Sequence, residues 1–331
     1  MATAVLKRNP ALADDVRTPF IRNSLKSTWK VFDRLLAYSY LDELDREDFR
    51  VYRDLFVRLL SAIDRRIAAG VLRPVELRDF PMVVRFPGYV IDAVLFIGSF
   101  DPFQMTHLAM ALQCLASEHC SAPLVFVVPE GHDNPGKPRK NDYRYRFDLL
   151  RMQLQDIFEP LIVPLDIGQG ADTIEIVRRF IGMFPGARVR VTHLLGSDVL
   201  PFAARMLPTD LDAWRDAARE VLVDFGYRAF VVQRAGFPVT LADTALVGNC
   251  AVDLLVDDHI LATPSSSDFR EHQAFSIVFP TESVVRHLEV LFRYNLNRPW
   301  RGNSRGPAVG GRQLVDDRPS DWYAWITRAC E

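Results

Sequence analysis

Tyr89-Val-Ile-Asp-Ala-Val-Leu-Phe-Ile97, followed at once by Gly98-Ser-Phe-Asp-Pro-Phe-Gln-Met-Thr-His107, is the stretch on which the reading of this chain turns. The first half is short, apolar and rich in branched residues, the pattern of a strand buried on both faces. Gly98 and Ser99 are small, so backbone amides there can approach a ligand closely. A helix is expected to begin near Thr106 or His107. Its first N–H groups lack partners within the helix, and the positive end of the helix dipole lies behind them. That combination forms an anion site. His107 falls in the opening turn, where an imidazole donor can reach a phosphate oxygen. Taken alone, a histidine at a helix start is more often a cap or a packing residue. A dinucleotide-binding G-x-G-x-x-G is absent after Ile97, which argues against a dehydrogenase loop.

Outward from this stretch the chain alternates. Strands are expected over Leu124–Val128, Leu161–Leu165, Arg188–Leu195, Arg228–Gln233 and Val252–Val256. Helical periodicity lies between them, over His107–Glu118, Tyr143–Phe158, Thr173–Phe184 and Leu211–Phe225. Alternation of this kind predicts an α/β fold, an open and mostly parallel sheet with helices on both faces. Ligands in such sheets collect at the carboxyl ends of the strands. The segments after Ile97, Val128, Leu195 and Val256 are therefore the places to look.

Upstream, Val31, Phe32, Leu35, Leu36, Leu55, Phe56, Leu59, Leu60 and Ile63 recur at helical spacing, and Gly70 reads as a helix stop. The first 87 residues are thus read as a helical N-terminal extension, 88–297 as the main domain, and 298–331 as a tail packing on it. The helical part offers a solvated face or a partner surface, including one between copies of the chain. The formal net charge is −2 over 331 residues, so no global field points to nucleic acid or an anionic membrane. Met1–Asp15 has no long apolar core of a secretory signal, and no run nears the ~18 apolar residues of a membrane span. Cys114, Cys120, Cys250 and Cys330 form no C-x-x-C pair, and no cluster has metal-ligand spacing. Reduced thiols and a cytoplasmic setting are the expectation.

Gly98-Ser-Phe-Asp-Pro-x-x-x-x-His107 resembles the signature of the nicotinamide/nicotinate mononucleotide adenylyltransferases, within the cytidylyltransferase-like superfamily. The resemblance runs from Ile91 to Asn297. Gly196-Ser197-Asp198 looks like the family's Gly-x-Asp motif, and Pro264-Ser265-Ser266-Ser267-Asp268-Phe269-Arg270 looks like its Ile-Ser-Ser-Thr-x-Ile-Arg motif. The resemblance implies a Rossmann-like sheet and transfer of AMP from ATP, with Mg²⁺, to a mononucleotide. It implies an ATP site at Gly98, Ser99, Phe100, Gln104, His107, Gly196, Asp198, Ser266, Ser267 and Arg270. His107 would stabilise the α-phosphate, while Arg270 with Ser266 and Ser267 would hold the leaving pyrophosphate. Lys137, in the loop after the second strand, is the first choice for the lysine that the resemblance implies at phosphate, with Lys140 the alternative. The acceptor would meet Ser99, Phe100, Lys137, Arg146, Thr173 and Trp214.

Adenylyl transfer joins two polyanions. The attacking phosphate oxygen is already ionised near neutral pH, so alignment and charge neutralisation are needed rather than a general base. A histidine, a helix N-terminus and a few cations supply that chemistry. Three residues depart from the family pattern, one of them Thr106 in place of the usual Gly, where some members place Met and bulk is tolerated. Gln104 replaces His or Thr and carries no charge. Gly170 stands where many members hold a Trp that stacks on the pyridine ring. These departures open two alternatives: another phosphorylated acceptor, or a nucleotide-binding regulatory protein without catalysis.

Overall fold

The computed structural model describes residues 21, 24–33, 36, 43–72, 90–132, 141–154, 157–159, 161–233, 237–239 and 250–254. Lys137, Ser266, Ser267 and Arg270 lie outside the described residues, as does the tail.

The elements in chain order are α1 (Glu43–Ala68), β1 (Val90–Gly98), α2 (Met105–Ala116), β2 (Val125–Pro129), α3 (Tyr143–Leu154), β3 (Ile162–Pro164), α4 (Thr173–Gly182), β4 (Arg188–Gly196), α5 (Leu200–Glu220), β5 (Asp224–Gln233) and β6 (Cys250–Leu254). Residues 24–33 are also helical. The six strands form one sheet in the order β3-β2-β1-β4-β5-β6, and every neighbouring pair is parallel. This is a Rossmann-like α/β fold. Parallel strands need crossovers long enough to hold a helix, and the sequence supplies one between each pair up to β5. Among the described residues no helix is long and apolar enough to cross a membrane.

The two faces of the sheet hold separate cores. On one face Val94 and Phe96 of β1 pack with α2, α3 and the N-terminal helices. On the other, Ala93, Leu95 and Ile97 pack with α4 and α5. Successive residues of β1 thus point to opposite cores, the alternation that a strand imposes. Helix α1 lays Tyr52, Leu55, Phe56, Leu59, Leu60 and Ile63 into the first core, outside α2. The helical layer therefore continues the hydrophobic core of the sheet.

The chain runs outward from β1 to β3 in one direction, and from β4 to β6 in the other. The order reverses between β1 and β4, and a crevice opens at such a switch point. The register fixes what borders it. Leu95 is opposite His193, so three residues further on Gly98 is level with Gly196. Gly98 is also paired with Pro129, and Gly196 with Val232.

Candidate functional site

The loop from Ser99 to Gln104 joins the end of β1 to the start of α2. A Cβ on Gly98 would come within 3.2 Å of the Phe100 ring, so glycine lets that ring fold back onto the strand end. Phe100 itself has φ of 40°, a left-handed conformation that bulky residues rarely adopt. Packing holds it there. Its ring lies 5.0 Å from Phe96, 5.3 Å from Phe103 and 5.1 Å from the His107 imidazole, centroid to centroid. The sequence reading gave Phe100 to ATP and acceptor; the structure corrects this for its side chain, which is buried in the cluster that walls His107.

His107 is the third residue of α2. It forms a reciprocal capping box with Gln104, the N-cap. The Gln104 backbone N–H donates to His107 Nδ1 at 3.0 Å. While that bond stands, Nδ1 has no room for a proton, and a neutral ring carries its hydrogen on Nε2. The ring is thereby set as an Nε2–H donor. Gln104, expected to contact phosphate, is buried at the N-cap of α2. The cap serves the backbone N–H of His107; those of Met105 and Thr106 still lack an acceptor within the helix. An imidazole donor and a helix N-terminus thus share the edge of the crevice.

Two buried clamps fix this loop. Asp101 accepts from the Asn141 backbone N–H at 2.7 Å and from its Nδ2 at 2.8 Å. Arg146 donates from Nε to the Asn141 carbonyl at 2.9 Å, from Nη1 to the Ser99 carbonyl, and from Nη2 to the Glu130 carbonyl at 2.7 Å. It therefore ties the end of β1, the end of β2 and the start of α3 together. Arg146 was expected to meet the acceptor. It is 1% exposed, with its guanidinium on three main-chain carbonyls, so it positions the loops instead. Sequence reasoning gave Asp101, Asn141 and Glu130 no role; the signal was their place at strand and helix ends.

Across the crevice, β4 ends at Gly196. Ser197 is pinned by its N–H to the Val232 carbonyl at 3.0 Å. Asp198 is half-buried in the turn before α5, whose N-cap is Val199 and has no side-chain cap bond. Asp198 thus lies at the carboxyl end of β4. Trp214 does not join it. Its side chain is 0% exposed, donates from Nε1 to the Ile174 carbonyl at 3.2 Å and lies 5.3 Å from Tyr227, ring to ring. The expected aromatic wall for the acceptor is a core residue between α4, α5 and the sheet.

The loops after β2 and β3 form the other half of the crevice's rim. Gly131 and His132 donate their N–H groups to the Ala171 carbonyl at 2.9 and 3.1 Å. Thr173, at the start of α4, donates from Oγ1 to Glu130 Oε1 at 2.6 Å. Its hydroxyl thus links the two loops. Gly170 has φ of 66° and is exposed, and a Cβ there would meet nothing within 4 Å. Gly170 itself brings no side chain to that part of the rim.

His193 lies on β4 below the crevice. It is buried, with Nδ1 3.3 Å from the Tyr227 hydroxyl, and burial lowers its pKa from 6.5 to about 4. The unfolded chain binds a proton there first as pH falls. Stability is therefore full above about pH 6.5 and declines towards pH 4, by about 3 kcal/mol in all. Urea unfolding at stepped pH is expected to show this slope for the wild type and a shallower one for His193→Gln. Equal slopes would assign the acid sensitivity elsewhere.

No known family profile matches the chain, and no curated protein does. Among solved structures, Plasmodium falciparum nicotinic acid mononucleotide adenylyltransferase complexed with APC matches at 14% identity and a TM-score of 0.41, covering 62% of this chain and 96% of that one. The same enzyme complexed with NaAD matches at 15% identity and a TM-score of 0.43, covering 62% and 97%. Likenesses this distant carry no argument about reaction or substrate, so the functional reading stands on the site itself.

Proposed function

We propose that the protein is a nucleotidyltransferase that moves AMP from ATP to a phosphorylated small molecule, releasing pyrophosphate. One observation carries this reading. His107, held as an Nε2–H donor in the first turn of α2, borders the switch point where Gly98 is level with Gly196. The ordered motifs that end in Asp198 and Arg270 support it from the sequence.

In this scheme a phosphate oxygen of the acceptor attacks the α-phosphorus of ATP. A new P–O bond forms as the bond to the β-phosphate oxygen breaks, and the electron pair leaves with pyrophosphate. His107 Nε2–H donates to a non-bridging oxygen of the α-phosphate, where negative charge builds. The N-terminus of α2 adds its positive potential. Asp198 accepts from a ribose hydroxyl. Lys137, Arg270, Ser266 and Ser267 hold the outer phosphates. Among the described residues no group of three His, Cys, Asp or Glu is placed to hold a metal ion. Mg²⁺ would arrive chelated by the phosphates of ATP.

A nicotinamide or nicotinate mononucleotide is the acceptor that the motifs favour. A second reading, another phosphorylated acceptor, is favoured by one feature of the rim. Neither ring position offers stacking: Gly170 has no side chain and Trp214 is buried. Purified protein with ATP and Mg²⁺ is to be assayed for pyrophosphate against both mononucleotides and a panel of sugar and coenzyme phosphates. Release with a mononucleotide supports the first reading; release with another member alone supports the second. No release with any acceptor contradicts both.

A further inference from the structure

Helix α1 bonds α2 near both of its ends. The hydroxyls of Tyr52 and Thr106 share a 2.8 Å hydrogen bond, and both side chains are buried. About four turns further along α1, Arg66 donates to the carbonyls of Leu115, in the last turn of α2, and of Cys120 just beyond it. Thr106 immediately precedes His107, so the first of these bonds falls in the turn that carries the imidazole. A threonine in a helix usually bonds its own preceding turn or water. This one bonds a residue fifty-four positions earlier, in a different layer.

The His107 Nδ1 bond to the Gln104 N–H exists only while this first turn keeps its geometry. The Phe96, Phe100 and Phe103 rings limit the imidazole's tilt, but they offer no directional bond to the turn itself. Tyr52 supplies one. Its own ring is anchored in the aromatic packing of the helical layer, 5.8 Å from Phe56, which is 5.9 Å from Phe32. We propose that Tyr52 is a positioning residue for His107, through Thr106, so that the N-terminal helical layer sets the rate of the reaction from outside the sheet. The inference rests on the reading of His107 as the group that meets the α-phosphate.

The test uses the full chain with ¹⁵N-labelled histidine. Tyr52→Phe and Thr106→Val each remove one hydroxyl and keep the packing; Thr106→Ser keeps the hydroxyl. Ile63→Val is a control that loosens the same layer three turns along α1, away from the bond. Tyr52→Phe and Thr106→Val are expected to shift the His107 ring nitrogen signals and to lower kcat about 10-fold, with KM for ATP within about twofold. The double variant falls no further than either single one, because both remove the same bond. Thr106→Ser restores rate and spectrum. Ile63→Val lowers the unfolding midpoint and leaves the His107 signals in place. The proposal is overturned if Tyr52→Phe leaves those signals unchanged, or if Ile63→Val moves them equally. Should the wild type turn over no acceptor, the proposed reaction fails, while the nitrogen spectra still decide the positioning role.

Discussion

His107→Ala is expected to lower pyrophosphate release by about 10²–10³-fold, the loss typical when one preorganised donor to a developing charge is removed. The size follows from how the ring is held. Nδ1 is engaged by the Gln104 N–H, so Nε2–H is a donor fixed before substrate arrives. A donor that needs no reorganisation stabilises the transition state more than the ground state, so the effect falls on kcat more than on KM for ATP. His107→Asn separates two contributions. Its amide can still face the Gln104 N–H, as a shorter capping group, but it does not reach the Nε2 position. Its turnover should be as poor as that of alanine, with stability closer to wild type. Turnover within about threefold of wild type for both variants would remove His107 from the chemistry.

The second large effect concerns stability. Arg146→Met is expected to cost about 3–5 kcal/mol, read as a fall in the urea midpoint with an unchanged slope. Methionine fills much of the volume, but the carbonyls of Ser99, Glu130 and Asn141 lose their donor. A buried acceptor left without a partner costs about 1–3 kcal/mol. Such a loss is a large share of the stability of an ordinary domain. Arg146→Lys is expected to recover a part only, because an ammonium cannot span three carbonyls with a planar fork. A cost below about 1 kcal/mol for Arg146→Met would mean that the loops are held by Asp101 and Asn141 alone.

These two residues show what was readable in the sequence and what was not. His107 was readable because its position depends on local order: a buried strand, small residues, then a helix start. The strands and their sequence were readable for the same reason. The expected strand Tyr89–Ile97 is observed as Val90–Gly98, and Arg188–Leu195 as Arg188–Gly196. Gly70, expected as a helix stop, follows α1 with φ of 70°. Helix α5 was read from Leu211 but begins at Leu200, because Pro201 and Pro208 look like breaks. Pro201 sits in the first turn, where its missing N–H costs nothing, and Pro208 is carried inside the helix. Strand β5 begins at Asp224, four residues before the expected Arg228; pairing with β4 carries Phe225, Gly226 and Tyr227 into the ladder.

Side-chain roles were harder to read. An arginine that contacts phosphate and one that gathers carbonyls look alike in a sequence; the partners of Arg146 come from three separate segments. Trp214 was given to the acceptor by the resemblance alone, yet the helical face it occupies turns it into the core. Tyr52 did carry a signal. It stands three residues before Leu55 and four before Phe56, on the apolar face of α1. Its hydroxyl partner, across the layer on α2, was invisible.

Under the proposed function, the crevice beside His107 receives the phosphates of a nucleotide. It is tested most directly by titrating Mg·ATP into ¹⁵N-histidine protein and following the ring nitrogens of His107. A saturable shift at Nε2 is expected, with Nδ1 keeping the shift of an unprotonated nitrogen bonded to an N–H, and this response is lost in Gly196→Val, which crowds the opposite strand end. Nucleotide binding that leaves the His107 nitrogens unmoved, or no binding at millimolar ATP, would contradict it.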